Sequence, residues 1–304
     1  MTPQASAALV VVNFGSSALL ERNLAHVETR GVRTIVVDCF SSAAERDRVA
    51  ALCRQHGWTP VLLDDNLGFG GGVNAGAARA LEDGAEVIVT LNPDASIDEA
   101  SLDLLVATAH AQQDALVSPR IVAGDGSVWF DGADLYLDDG TTARRRRRAE
   151  RAGRPRREWA TGACFAVSAQ LWRTVGGFDD DYFLYWEDVD LSHRILDAGG
   201  SLVLLDEATA VHDEGQTHGR EAADRAKSPT YYYFNIRNRL LYAAKHLDDA
   251  GVAAWVRSAR AVSYGILLQG GKRQLVTSLK PWRAYRRGLR DGRALVRERR
   301  GAGR

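Results

Sequence analysis

Apolar runs and polar punctuation alternate through the first third of the chain. Ala8–Val12 is a short Val-rich run ending at Asn13, and it reads as a buried strand. Residues 18–30 follow a helical pattern. Thr34–Val37 is a second strand and ends at Asp38. A helix is predicted from about residue 43 to residue 56, then a strand around Pro60–Leu63. The glycine-rich stretch Gly68–Gly72 opens a helix running to about Asp83, and Glu86–Leu91 is a further strand, followed by Asn92-Pro93-Asp94. This alternation predicts an α/β fold with a mostly parallel, Rossmann-like sheet flanked by helices. Ligands of such sheets sit beyond the carboxyl ends of the strands. Asn13, Asp38, Asp65-Asn66 and Asp94 all fall at such ends. The pattern loosens after about residue 115: short strands at 116–122 and 127–130, an Arg-rich loop, a compact segment Thr161–Leu205, then helices from about residue 230. No internal repeat is visible.

Composition changes this picture in one respect. The chain of 304 residues carries 39 Lys and Arg against 39 Asp and Glu, so its formal charge is zero. The balance is a cancellation. Residues 144–157 hold nine Arg and one acid, and residues 272–304 hold twelve basic residues and two acids. The remainder is acidic, which predicts a charged partner for the two basic segments. A hydrophobic content of 45% excludes global disorder. Cys39, Cys53 and Cys164 are spaced neither as a disulfide framework nor as a zinc site, which fits a reducing cytosol. Residues 1–20 lack charge but are broken by Gln4, Asn13 and Gly15 and have no basic lead. Neither a signal peptide nor a spanning helix is predicted, so any membrane contact is expected to be peripheral.

Four constellations carry candidate chemistry. The first is Asp65-Asn66-Leu67-Gly68-Phe69-Gly70-Gly71-Gly72-Val73-Asn74-Ala75-Gly76. Glycines here let the backbone approach a ligand, and a helix start offers free N–H groups to an anion. A plain tight turn accounts for the glycines equally well, and no Walker lysine follows. The second is Asn92-Pro93-Asp94, where a carboxylate can bind a divalent cation or simply cap the next helix. The third is Gly177-Phe178-Asp179 through Trp186-Glu187-Asp188-Val189-Asp190. Three acids in four positions repel unless they serve a function, and Tyr182, Phe183, Tyr185 and Trp186 argue against full solvation. The fourth is His212 after the apolar run Ala208–Val211. It can complete a metal site with Asp94, or be a structural imidazole.

Together and in this order, these residues resemble the inverting family 2 glycosyltransferases of GT-A fold, with the rhamnosyltransferase-like bacterial members most alike. The likeness covers about residues 7–245 and extends to Arg237-Asn238 in the helix after the acidic cluster. It implies a nucleotide-sugar-binding half over 1–115 and an acceptor and catalytic half over 116–229. Composition reads 144–157 as a mobile Arg-rich loop, with an anion-binding flap for a lipid pyrophosphate acceptor or an acidic membrane surface as the alternative. C-terminal helices and a basic amphipathic tail fill 230–304. Asn13, Asp38, Asn66, Gly68, Gly72, Asn74, Asn92 and Asp94 are the implied nucleotide-sugar contacts, Asp38 reading the base. Asp94 and His212 are the implied ligands of a divalent cation, Mg2+ or Mn2+, with Gly215 and Thr217 in the trailing pattern. Asn92 replaces the first acid of the family's metal motif, and Cys39-Phe40 stands where relatives often have Asn. Asp188 is the implied base, with Glu187, Asp190 and Trp186 as acceptor-binding or supporting groups.

The resemblance points to dTDP-rhamnose as donor, with other activated hexoses as alternatives. It points to a glycan or polyprenyl-diphosphate-linked acceptor in cell-wall or polysaccharide biosynthesis. Leu275, Leu279, Trp282, Tyr285 and Leu289 recur at helical spacing between arginines, which predicts a basic amphipathic helix. Its expected partner is an anionic membrane surface at the cytoplasmic face, with docking on the domain or a homo-oligomeric partner as alternatives. A nucleic-acid-binding protein using the Arg run and tail is a second reading. The acidic body and the absence of a recognition module argue against it, so no nucleic-acid partner is expected. A non-catalytic sugar-nucleotide-binding relative is a third.

Overall fold

The computed structural model describes residues 6–29, 31–212 and 226–302. They pack as two compact units. The first comprises Met1–Ala133, Glu158–Phe183 and Glu187–Thr217; the second comprises Asp134–Arg157, Leu184–Trp186 and His218–Arg304.

The first unit opens with β1 (Ala7–Asn13), α1 (Ser17–Arg22), β2 (Val32–Asp38), α2 (Ala43–His56), β3 (Thr59–Leu62), α3 (Gly68–Glu82) and β4 (Val87–Leu91). β5 (Ala95–Ile97), α4 (Glu99–Ala111), β6 (Ala115–Ala123) and β7 (Val128–Phe130) follow. The strands β8 (Ala133–Tyr136), β9 (Thr142–Arg144) and β10 (Arg156–Trp159) form a separate small sheet in the order β10-β8-β9. The first unit resumes with β11 (Cys164–Ser168), α5 (Ala169–Val175), α6 (Glu187–Asp197) and β12 (Ser201–His212). Its main sheet runs β3-β2-β1-β4-β11-β6-β12-β5, with β7 beside β6.

The continuous apolar run of β1 has a simple cause. Leu9 and Val11 enter one core cluster, while Ala8, Val10 and Val12 enter another. Both faces of the sheet are covered, so no position can be polar until the strand ends at Asn13. β2, β1 and β4 are parallel, as the sequence predicts. β11 is not: it runs antiparallel between β4 and β6. The helix expected over 18–30 ends at Arg22, where Asn23 donates its N–H to Leu19 O, and only a 3-10 turn, Leu24–His26, continues it. Val27 is already extended, consistent with the cost of β-branched side chains in a helix.

Gly72 and Gly76 let α3 lie close on β1. A Cβ at Gly76 would stand 2.4 Å from Val10 Cγ1, and one at Gly72 would stand 2.7 Å from Val12 Cγ1. Gly72 therefore has a packing role against β1.

The second unit is built on α7 (Pro229–His246), α8 (Asp249–Leu268), α9 (Arg273–Thr277) and α10 (Lys280–Ala302). Its anchor is the buried Arg239. The guanidinium donates to Asp139 O, to Trp255 O at 3.2 Å and to Ser258 Oγ at 2.9 Å, and lies 4.8 Å from the Trp255 ring. Burial pushes its pKa down to about 10.

The Arg-rich segment is not a free loop. Residues Arg145–Arg151 form a 3-10 stretch. Arg148 makes a two-pronged pair with the buried Asp134, at 2.7 and 2.9 Å, and Arg154 pairs with Asp138 and Asp139. The tail also differs from one continuous helix. It breaks at Ser278-Leu279, and the Leu289 face of α10 is buried, lying on α7. A Cβ at Gly288 would meet Tyr233 O at 2.9 Å. No helix among the described residues is long and apolar enough to cross a membrane.

Gly76→Ala should cost about 1–3 kcal/mol through overpacking. Gly57→Ala adds a Cβ with nothing within 4 Å and pays only the strain of φ +71°, about 1 kcal/mol. Urea midpoints should fall accordingly, at unchanged slope.

Candidate active site

The strand-end part of the site is assembled by register. β1 and β2 align Asn13 with Asp38, and Asn13 Nδ2 donates to Asp38 Oδ1 at 3.2 Å. Asp38 is wholly buried, and its other oxygen accepts from Arg46 Nε at 3.3 Å. Arg46 comes from α2 and also donates to Leu63 O. The sequence pattern gave no sign of it, because Arg46 sits among other charged residues of a helix. Two exposed aromatics flank this pair in the chain: Phe14 follows Asn13, and Phe40, at φ 29°, lies two residues beyond Asp38. Phe14 was not singled out in the sequence and Phe40 was noted only for standing where relatives often have Asn, although exposed Phe at strand ends is a recognisable signal.

The glycine-rich turn divides its labour. Asn66 Oδ1 accepts the Gly68 N–H at 2.9 Å. Gly68 has φ 77°, and a Cβ there would fall 1.9 Å from Phe183 O. Only glycine fits, because the chain of residue 183 passes directly over it. Asn74 is fully committed: Nδ2 donates to Phe178 O at 2.8 Å and to Asp180 Oδ1 at 3.1 Å, and Oδ1 accepts from Phe178 N at 2.8 Å. These bonds make Asn74 a clamp that holds the Gly177-Phe178-Asp179 turn.

Asp94 and His212 do meet. β12 pairs antiparallel with β5, setting His212 opposite Ala95. His212 Nε2 lies 3.2 Å from Asp94 Oδ1 and 3.4 Å from Asn92 Nδ2. Trp129 stacks on the imidazole at 4.4 Å. His212 Nδ1 is buried without a hydrogen-bond partner among the described residues. One carboxylate oxygen and one imidazole nitrogen converge here, a donor set that suits a divalent cation. No group of three or more His, Cys, Asp and Glu side chains among the described residues could hold a metal. Gly215 and Thr217 lie outside the described residues.

The acidic cluster opens α6. Asp188, partly exposed, accepts from Gly162 N at 3.1 Å and from Val189 N at 2.8 Å. Burial raises its pKa to about 6 against these stabilising bonds. Glu187 is buried, with Oε2 unpartnered. Burial, then the charge of Asp188, holds its carboxyl well above the usual range. Asp190 is wholly buried and bound to Arg194 at 2.7 Å, which makes it a support of the helix. The three acids therefore occupy three different states. Asp188 alone is both accessible and ionised near neutrality.

One loop ties Asp188 to the turn that carries Asp94. Gly162 N–H holds Asp188, while Ala163 O accepts the Asn92 N–H at 2.9 Å. Ser192 Oγ, on α6, accepts the Ala160 N–H at 3.1 Å and fixes the helix to the same loop.

In the second unit, Trp186 packs against Tyr242 and Trp255, with ring centroids 5.7 and 6.2 Å away. Tyr185 and Trp186 have φ of 64° and 76°, an unfavourable region for such side chains, directly before Glu187. Asn238 Nδ2 donates to Leu184 O at 2.9 Å and to Tyr185 O at 2.7 Å, pinning that turn.

Residues 8–175 match the model of the family described as "Glycosyl transferase family 2". The chain belongs to that family. This glycosyltransferase is similar to the N-acetylglucosaminyl-diphospho-decaprenol L-rhamnosyltransferase of Mycobacterium tuberculosis, 29% identical over 241 residues, 71% of this chain and 78% of the relative. Its GT-A fold is shared with the mannosyltransferase PcManGT of Pyrobaculum calidifontis, solved with GDP-Man and Mn2+ (TM-score 0.55, 15% identity, 97% of this chain and 86% of that one). It is also shared with GalNAc-T7, solved with UDP, GalNAc and Mn2+ (TM-score 0.57, 14% identity). That alignment covers 91% of this chain, which spans only 58% of GalNAc-T7.

Asn238→Ala removes both donors from a strained turn. The glycosyltransferase should lose about 1–3 kcal/mol of stability and show a lower kcat. Denaturation curves and initial rates check the two effects separately.

Proposed function

We propose that this glycosyltransferase moves a hexose, rhamnose from dTDP-rhamnose, to a lipid-linked diphosphate glycan with inversion at the anomeric carbon. The observation that carries this reading is the loop Thr161–Ala163, which holds Asp188 on one side and the Asn92-Pro93-Asp94 turn on the other. Asp188 takes the proton from an acceptor hydroxyl. The hydroxyl oxygen bonds to the anomeric carbon as the bond to the diphosphate oxygen breaks, and the nucleoside diphosphate leaves. Burial holds the Glu187 carboxyl well above the usual range, so Asp188 is the more readily ionised of the two acids. A divalent cation, Mg2+ or Mn2+, supplies positive charge to the leaving diphosphate when bound at Asp94 and His212. Asp38, oriented by Asn13 and Arg46, accepts a hydrogen bond from the base, and Phe14 and Phe40 offer faces for stacking.

The rhamnosyl donor and the polyprenyl-diphosphate acceptor are supported by the name of the mycobacterial relative. Such an acceptor places the reaction at the cytoplasmic face of a membrane, in cell-wall or polysaccharide assembly. The nucleic-acid reading loses support, because the Arg-rich segment spends Arg148 and Arg154 on carboxylates of its own unit.

Asp188→Asn should lower kcat/KM by about 10²–10⁴-fold, with stability changed by about 1 kcal/mol or less. Wild-type kcat/KM should fall as pH drops through about 6, when Asp188 takes up its proton. The stability sign is opposite: a carboxyl raised from 3.8 to about 6 binds protons on folding, so stability declines as pH rises across that window. Turnover with a nucleotide-sugar panel reads both activity and donor. Full activity in Asp188→Asn would remove it as the base. Phe14→Ala should raise the donor KM several-fold and leave kcat nearly unchanged.

A further inference from the structure

The tail's apolar residues separate into a covered set and an uncovered set. Ala284, Leu289 and Val296 of α10 are buried, and the helix lies along α7. Val276 is 85% exposed and Leu279 67% exposed. Tyr264 and Leu268, at the end of α8, are also exposed. These residues belong to one end of the unit. Trp282 Nε1 donates to Leu275 O at 2.9 Å, joining the start of α10 to α9, and Tyr264 stacks on Trp282 at 6.2 Å.

Charge at this end is of one sign. Lys272, Arg273, Lys280 and Arg283 are exposed around Val276 and Leu279 in the chain. Neither Lys280 nor Arg283 has a carboxylate partner among the described residues. Lys280, Arg283 and Arg287 share a cavity of about 390 Å³ with Pro229, Tyr233 and Phe234. The first turn of α10 contains no acid. Cations at a helix N-terminus oppose the macrodipole and cost stability unless an anion meets them.

We propose that this end of the second unit docks on an anionic phospholipid bilayer: Val276 and Leu279 enter the acyl boundary, while Lys272, Arg273, Lys280 and Arg283 meet lipid phosphates. A soluble anion would engage the cations and leave both apolar side chains in water. A second copy meeting this end about a two-fold axis would set like charge against like. A bilayer with anionic headgroups satisfies apolar and cationic groups together. The tail thus contacts membrane through its break, not through the amphipathic face that the sequence suggests. The membrane-linked acceptor proposed above gives this surface its purpose, but vesicle binding is measured without donor or acceptor, so either reading can fail alone.

Sedimentation of the full chain with phosphatidylcholine vesicles, pure or mixed with phosphatidylglycerol, tests the proposal. Binding is expected to the mixed vesicles alone and to weaken with salt. Lys280→Ala with Arg283→Ala should lower partitioning about 25-fold, roughly fivefold per cation. Val276→Ser with Leu279→Ser should lower it about tenfold or more at unchanged charge, with an unchanged Tm. The control pair Arg54→Ala and Arg173→Ala, exposed in the first unit, should bind as wild type. Equal binding to both vesicle types, no binding, or an equal loss in the control pair overturns the proposal. So does full binding by the Val276, Leu279 variant, whether or not it turns a dimer into a monomer in light scattering.

Discussion

The antiparallel insertion of β11 between β4 and β6 is the constraint on which the geometry of the candidate site depends. A parallel strand in that place would start at the opposite edge of the sheet. Running backward, β11 begins at Cys164, opposite Leu91 at the carboxyl end of β4. The residues just before it, Thr161–Ala163, are delivered to the edge where the polar strand ends of β1, β2 and β4 already lie. Gly162 and Ala163 can then bond Asp188 on one side and Asn92 on the other. These backbone contacts act through N–H and C=O groups, which have no rotamers to lose, and so hold their partners at low entropic cost.

Electrostatics then divides residues that look equivalent in a row of letters. Glu187, Asp188 and Asp190 occupy successive directions around the first turn of α6. Asp190 points inward to Arg194, Glu187 is buried without a partner for one oxygen, and Asp188 alone keeps both backbone donors and access to solvent. Desolvation raises Glu187 and Asp188, and the charge of one raises the other. A carboxylate tuned to about 6 emerges from the same effects that cost the fold stability. The strained Tyr185-Trp186 pair before Glu187 is a second cost of the same kind, offset by Asn238.

The neutral total charge conceals a similar division. The basic run at 144–157 is partly neutralised within its unit by Asp134, Asp138 and Asp139. The basic tail retains uncompensated cations where α9 gives way to α10. Two segments of like composition therefore have unlike fates. The difference lies in the acids the fold brings near each, which composition does not reveal.

Strand ends were readable in the linear pattern, because each is a local transition from apolar run to polar residue. Asn13, Asp38, Asp94 and His212 were singled out in this way and the acidic cluster by its density of charge, and the GT-A fold was implied by the family resemblance that these residues carry together. The helix expected over 18–30 failed for a local reason, the early C-cap at Asn23. The roles of Asn74 and Arg46 were not legible, because each is set by a partner distant in sequence: Phe178 for Asn74, and Leu63 together with Asp38 for Arg46. The packing of Gly72 on β1 was not legible either, since a glycine in a turn and a glycine under a strand look alike in one dimension. Amphipathic spacing in the tail told that one face is apolar, but what covers that face depends on α7, more than thirty residues earlier. Periodicity and breakers are properties of neighbours along the chain and so are written in it. Hydrogen-bond partners, desolvation and the covering of a face belong to neighbours in space, and arise only when the sheet and the helices pack.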